Sequence, residues 1–236
     1  QLNLPESRKS SLKDFNVAIW SNDELAPVSK DISQRCEDVG KNLASIGANV
    51  SYTAKPDHDF LKAEINYQLL LQSVMQSGMS DDEFKKIEEI ASNLDRNDLS
   101  ADAILAKGTV LSHRNWIRQN YAREQIKISW SKFFQEWDIL ICPQLATTAI
   151  EHDHRKMSER TIMIDNQEQR FFQQIFWPGL AVNAHLPSTV FPTGLASDGM
   201  PIGLQAIGDV YEDKTTIKFA ELYEQEFKAF VVPNLD

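Results

Sequence analysis

The spacing of apolar positions changes along the chain, and the changes mark the elements. In LKDFNVAIW, Phe15, Val17 and Ile19 alternate with their neighbours, which is the two-residue period of a strand. After SNDELAP the period lengthens. Val28, Ile32, Cys36, Val39, Leu43 and Ile46 fall three or four residues apart, so all six share one helix face. Gly47 follows as a helix C-terminal signal, and ANVSYT reads as a second short strand. Strand, helix and strand over residues 13–53 predict a βαβ unit with parallel strands, and hence an α/β protein.

Residues 58–137 are helical in character. MSDDEFKKIEEI carries a capping box, with Ser80 at the cap and Glu83 three residues on. Phe84, Ile87, Ala91 and Leu94 then form a narrow apolar face. A longer helix is expected from about Ala106 to Trp137, with Trp116, Trp130 and Trp137 as core or groove anchors. WDILICP reads as a buried strand ending at Pro143, and QLATTAIEHDHRKMSER as a polar loop. DNQEQRFFQQIFWPGLAVNA reads as a helix interrupted near Trp177-Pro178-Gly179, because proline removes a helical donor. PSTVFPTG and PIGLQAIGD follow as two buried strands, turned at Asp198-Gly199. KTTIKFAELYEQEFKAF closes the chain as an amphipathic helix on Ile217, Ala220, Phe227 and Phe230, flanked by Leu222 and Tyr223. With no repeat and no internal linker, residues 1–236 are expected to form one α/β domain, and residues 58–137 a largely helical insertion within it.

Composition narrows the function. Of 236 residues 42% are hydrophobic and 25% charged, which is ordinary for a globular protein. There are 24 Lys and Arg against 34 Asp and Glu, a net charge of −10. That balance argues against nucleic acid or an anionic membrane as a main partner. No run approaches the ~18 apolar residues of a membrane helix, and QLNLPESRKSS lacks the apolar stretch of a signal peptide. The two cysteines, Cys36 and Cys142, are too few for a disulfide framework. A reducing, cytoplasmic setting is expected.

The C-terminal third carries a family pattern. WDILICPQLAT, FFQQIFWPGLAVNAHLPSTVFPTG and GMPIGLQAIGDVYEDKTTIKFAELYE resemble the C-terminal half of the amidase signature family. The correspondence lies in Leu186-Pro187, Pro192-Thr193-Gly194, the run from Gly199 to Gln205, and Ile207-Gly208. The strand at residues 12–18 resembles the segment that follows the family's catalytic region. The resemblance covers nearly the whole chain and is strongest from residue 138 onward. It implies an α/β fold with a mixed sheet flanked by helices, the C-terminal portion of an enzyme that hydrolyses carboxamides, and no metal or cofactor.

Family members use a serine nucleophile, a second serine and a lysine base beside a Gly/Ser-rich loop. Such a site needs an activated hydroxyl, a proton acceptor and preorganised donors. This sequence has no Gly-Gly-Ser-Ser-Gly-Gly-like segment. Ser10 and Ser11 precede Lys13 without neighbouring glycines, and Ser129, Ser131 and Lys132 fall in a helix. The chain is therefore expected to be inactive alone and to need a catalytic N-terminal portion, covalent or associated. The alternative is a non-enzymatic module that binds a small molecule or a partner, or a decayed remnant. Unpaired strand edges would make the isolated chain a homo-oligomer.

Four residues are candidates for substrate contact. Trp177 sits at the Pro-Gly break, where an aromatic ring can project, with core packing as the competing role. Cys142 ends a strand whose end faces the active-site side in the resembling family, although its apolar neighbours fit an inert thiol. His185 precedes Leu186-Pro187, either as a pocket residue or as a satisfied histidine at a helix end. Gln205 lies in the Gly-Leu-Gln strand, where a buried amide must find partners and fixes the sheet if it does not meet substrate. His152-Asp153-His154 is the one His/acid cluster, and its polar surroundings read as a solvated loop rather than a metal site.

Overall fold

The computed structural model describes residues 3–156 and 159–232. Gln1 and Leu2 of the polar start, and Met157 and Ser158 of the expected polar loop, lie outside the described residues. In chain order the first elements are β1 (Asn16–Ile19), α1 (Lys30–Ser45) and β2 (Asn49–Ser51). Four helices follow: α2 (Phe60–Met75), α3 (Asp81–Asn93), α4 (Ala101–Thr109) and α5 (His113–Phe133). The remainder is β3 (Ile139–Pro143), β4 (Thr161–Ile164), β5 (Gln167–Arg170), α6 (Phe176–Ala184), β6 (Ser188–Leu195), β7 (Pro201–Ile207) and α7 (Asp213–Phe227). The chain divides into two units, Gln1–Pro56 with Trp130–Asp236, and Asp57–Ser129.

The first unit is built on a five-stranded mixed sheet of order β2-β1-β3-β7-β6. β1 is parallel to β2 and β3, β7 is antiparallel to β3, and β6 is antiparallel to β7. The βαβ unit forms as its periodicity requires. Ser29 caps α1 by accepting the Ile32 N–H, and Ile32, Cys36, Val39 and Leu43 are buried. At the other end Gly47 takes φ 94°. Its N–H donates to Ala44, and the Ala48 N–H donates to Leu43, the paired bonds of a Schellman stop. Val28 and Ile46 lie just outside the helix.

Side chains alternate across a strand, and this places the flanking helices. Phe191 of β6 faces α7, where it meets Phe219 and Tyr223 at centroid distances of 5.6 and 5.1 Å. α1 covers the same face. A Cβ on its Gly40 would stand 2.6 Å from the Tyr52 hydroxyl and 3.0 Å from Ile19, so the glycine permits the close approach. Gln205 of β7 points to the opposite face, toward α6.

Several local expectations are corrected. The segment expected as an interrupted helix from residue 165 contains β5, a 3-10 turn at Phe171–Ile175, and α6. Pro178 does not break α6. It is the third residue of the helix, where its missing N–H would have had no intrahelical acceptor. β4 and β5 form a hairpin through Asp165 and Asn166 at φ 47° and 67°, the left-handed pair of a two-residue turn. The long helix expected over residues 106–137 is two helices. Ser112 interrupts it by accepting the Asn115 N–H with its hydroxyl and the Trp116 N–H with its carbonyl, as an N-cap does. Trp130 is buried and stacks on Phe134, whereas Trp116 and Trp137 are half-buried.

β7 is buried over Leu204–Ile207, but β6 is an edge strand with Val190 53% exposed. On α7 the buried line is Thr215, Thr216, Phe219 and Tyr223, while Ile217 faces solvent, and Phe230, expected on the helix, lies exposed beyond its end. Thr216 shares a hydrogen bond with Thr189 of β6 and overlies Gly208, whose absent Cβ would lie 2.7 Å from Thr216 Cγ2. Tertiary contact thus rotates the helix away from its most hydrophobic stripe.

In the second unit α4 carries Ala103, Ala106 and Gly108 against α2, and a Cβ on Gly108 would approach Gln72 Cβ to 2.7 Å. The Ser80–Glu83 capping box is formed on α3. The apolar face expected on α3 is only partly covered, since the helix has no buried residue and Phe84 is exposed. Among the described residues no helix is long and apolar enough to cross a membrane.

Candidate functional site

Parallel strands present ligands at their C-terminal edge, where successive loops emerge. In the first unit that edge carries the loops after β1, β2 and β3. The loop after β1 is fixed through its backbone. Trp20 Nε1 donates to the Asn22 carbonyl, and the Val28 N–H donates to Asn22 Oδ1. Trp177 Nε1 donates to the Ala26 carbonyl at 3.0 Å, and Gln173 Nε2 to the Leu25 carbonyl. The Ser29 N–H reaches the Ala146 carbonyl and so joins this loop to the one after β3.

Gln205 ties further elements together. Its Nε2 donates to the carbonyls of Pro143 at 2.9 Å and Trp177 at 2.8 Å, and its Oε1 accepts from Ser188 Oγ. Both amide donors are therefore used on backbone oxygens. One side chain joins the end of β3, the first turn of α6 and β6.

Three of the four sequence candidates meet here. Cys142 is the cross-strand partner of Gln205, and Trp177 packs edge-on to Trp20. Trp177, Cys142 and Gln205 are 0%, 0% and 2% exposed, so they stand behind the surface rather than on it. Burial pushes the Cys142 thiol well above its ordinary pKa, against a smaller opposing effect of the neighbouring Gln205 amide. A thiolate is disfavoured there. His185 is apart from the three. It is exposed at the C-terminal end of α6, in the left-handed conformation at φ 57°.

The groups that reach the surface at this edge are different ones. Lys55, after β2, lies 4.0 Å from the centre of the Trp20 ring and 3.4 Å from Asp23 Oδ2. The sequence pattern does not reveal this cluster, because 32 residues separate Asp23 from Lys55. The βαβ topology was the available signal, since it brings the ends of consecutive parallel strands together.

Other candidates do not assemble into a reaction centre. Lys13 is exposed within a 3-10 turn. In the second unit His58 Nδ1 lies 3.0 Å from Ser129 Oγ, a pair not anticipated from sequence. Burial lowers the His58 pKa to about 4, against the opposing charges of Asp57 and Asp59. Ser129 lies inside α5, whose backbone N–H groups serve the helix, so the pair lacks the convergent donors that acyl transfer requires. His152 and His154 are exposed with ring centres 6.2 Å apart, and Asp153 between them is engaged by Arg155 at 2.7 Å. That guanidinium lowers the Asp153 pKa to about 2. Among the described residues no group of three or more His, Cys, Asp or Glu could hold a metal ion.

Known proteins share this architecture. A glutamyl-tRNA(Gln) amidotransferase subunit of Clostridium botulinum strain Langeland is 24% identical over 241 residues, covering 94% of this chain and 47% of that protein. Its counterpart from Thermosynechococcus vestitus is 32% identical over 111 residues, covering 47% of this chain and 21% of that protein. Among solved structures, a bacterial aryl acylamidase superposes with a TM-score of 0.62 at 17% identity, over 91% of this chain and 44% of that one. The glutamyl-tRNA(Gln) amidotransferase subunit from Thermotoga maritima gives 0.64 at 16% identity, over 96% and 46%. The chain spans less than half the length of these relatives. A family model described as Amidase matches residues 1–217, and the chain belongs to the amidase signature family.

Proposed function

We propose that this chain is the C-terminal portion of an enzyme that hydrolyses carboxamide C–N bonds, and that it is inactive alone. The observation that carries this reading is the Gln205 knot. It holds the Pro143 end of β3 and the start of α6 as a rigid wall at the strand edge where an α/β protein places its ligand. Within the 236 residues no Gly/Ser-rich segment joins a serine to a lysine base, so the nucleophile must come from a catalytic N-terminal portion. Trp177, Cys142 and Gln205 set the shape of the wall from behind, and substrate contact falls to the loops they hold. His185 stands at the exposed end of α6. Two free, buried cysteines accord with a reducing, cytoplasmic setting.

The isolated chain is proposed to self-associate through β6. Val190 and Leu195 are exposed on this edge strand. Pro192 offers no N–H to a continuous ladder, so the contact rests on side chains. A monomer by light scattering at working concentration would exclude it.

The test of function is hydrolysis of a panel of aliphatic and aryl amides by the purified chain, with and without a co-expressed catalytic N-terminal portion of an amidase. The expected result is activity only in the combined preparation. Turnover by the chain alone, or none on reconstitution, would overturn the reading.

A further inference from the structure

The second unit contains an open cleft of about 570 Å³, a size in the usual range for small-molecule sites. All four helices of the unit contribute to it. Its lining includes Arg96, Lys107 and Arg118 but only one acid, Glu88. This local excess of positive charge occurs in a chain of net charge −10, where clustered cations mark a preference for an anion.

The cations are arranged for use. Lys107 Nζ donates to the carbonyls of Asp95, Arg96 and Asp98 at 2.8, 3.2 and 2.7 Å. Its three donors are spent, and they clamp the turn that presents Arg96. Arg118 is braced by Asn115 Oδ1 at 3.3 Å. Arg96 has no hydrogen-bond or ion-pair partner for its guanidinium among the described residues, and both arginines are exposed. Two guanidinium forks therefore remain for a carboxylate, which they match bidentately. The rest of the lining includes Leu69, Ala91 and Val110, which offer an apolar floor. An anion with a hydrocarbon body satisfies both halves. A compact polar anion satisfies only one.

We propose that this cleft binds a small organic carboxylate, its head on Arg96 and Arg118 and its apolar body over Leu69 and Val110. The site is independent of any amidase chemistry in the first unit. It is tested by titrating the whole chain with sodium hexanoate by calorimetry at low salt, beside hexanamide and inorganic phosphate. Saturable hexanoate binding is expected, with hexanamide and phosphate each weaker. Arg96→Ala and Arg118→Ala should each weaken hexanoate about tenfold or more. Glu88→Gln removes the one acid in the lining and should tighten binding several-fold, a gain that misfolding cannot produce. Hexanoate binding that is absent, matched by hexanamide or phosphate, or indifferent to all three substitutions would overturn the proposal.

Discussion

Gln205 Nε2 lies 2.8 Å from the carbonyl oxygen of Trp177, and the same nitrogen lies 2.9 Å from that of Pro143. Each acceptor belongs to a different element, so one amide sets their spacing. Gln205→Leu keeps the volume and removes both hydrogen bonds in a buried setting. Losing two buried hydrogen bonds costs about 1–3 kcal/mol for the pair. In a chain of this size the melting temperature should fall by about 5–10 °C. Ser188→Ala, which removes only the exposed-side contact to Oε1, should cost less than about 1 kcal/mol. Equal melting temperatures for wild type and Gln205→Leu would show that the knot carries no strain-bearing role.

The β1-α1-β2 unit was legible because its apolar period and its Gly47 stop agree with one another. The α7 face was not. Its buried line uses Thr215 and Thr216, which hydrophobicity ranks below Ile217, and the choice is made by Thr189 and Gly208 in other elements. The hairpin at residues 161–170 was readable in principle, since Ile162 and Ile164 alternate and Asp165-Asn166 suits a left-handed turn. Glutamines and glutamate around it favoured a helical reading instead. The candidate site divides the same way. Gln205 was anticipated as a buried amide in need of partners, but its acceptors are backbone atoms that no residue pattern identifies.

The hairpin is also attached at a helix end. The Lys30 N–H at the start of α1 donates to Asp165 Oδ2 at 2.8 Å, so the turn supplies a second cap beside Ser29. Asp165→Ala should cost about 1 kcal/mol, as loss of a cap does. Amide exchange should accelerate over residues 161–170 and in the first turn of α1, measured by hydrogen exchange with mass spectrometry. Acceleration spread across the whole first unit would instead indicate global destabilisation.

Both thiols are buried and free. Burial raises the Cys36 and Cys142 pKa values, so little thiolate forms at neutral or mildly alkaline pH. The native chain at pH 8 should therefore resist a chromogenic disulfide reagent over minutes, and the denatured chain should release two equivalents for its two cysteines. Rapid native labelling of Cys142 would place it at an accessible surface and restore it as a candidate substrate contact.

His58 gives the second unit a pH dependence. Burial holds its pKa at about 4, below the ordinary 6.5, and Asp57 and Asp59 oppose that shift without cancelling it. Above pH 6.5 the imidazole is neutral in both the folded and unfolded chain and contributes no slope. As the pH falls from 6.5 toward 4, the unfolded chain takes up a proton that the folded chain refuses, and stability declines. At 1.36 kcal/mol per unit, the loss is about 2–3 kcal/mol across this window. His58→Gln retains a polar partner for Ser129 but cannot titrate. Chemical denaturation of the two proteins at intervals between pH 7.5 and 4.5 should give curves that separate below pH 6.5, with wild type the steeper. Parallel curves would mean that His58 binds its proton equally well folded and unfolded, and that the pair with Ser129 is open to water.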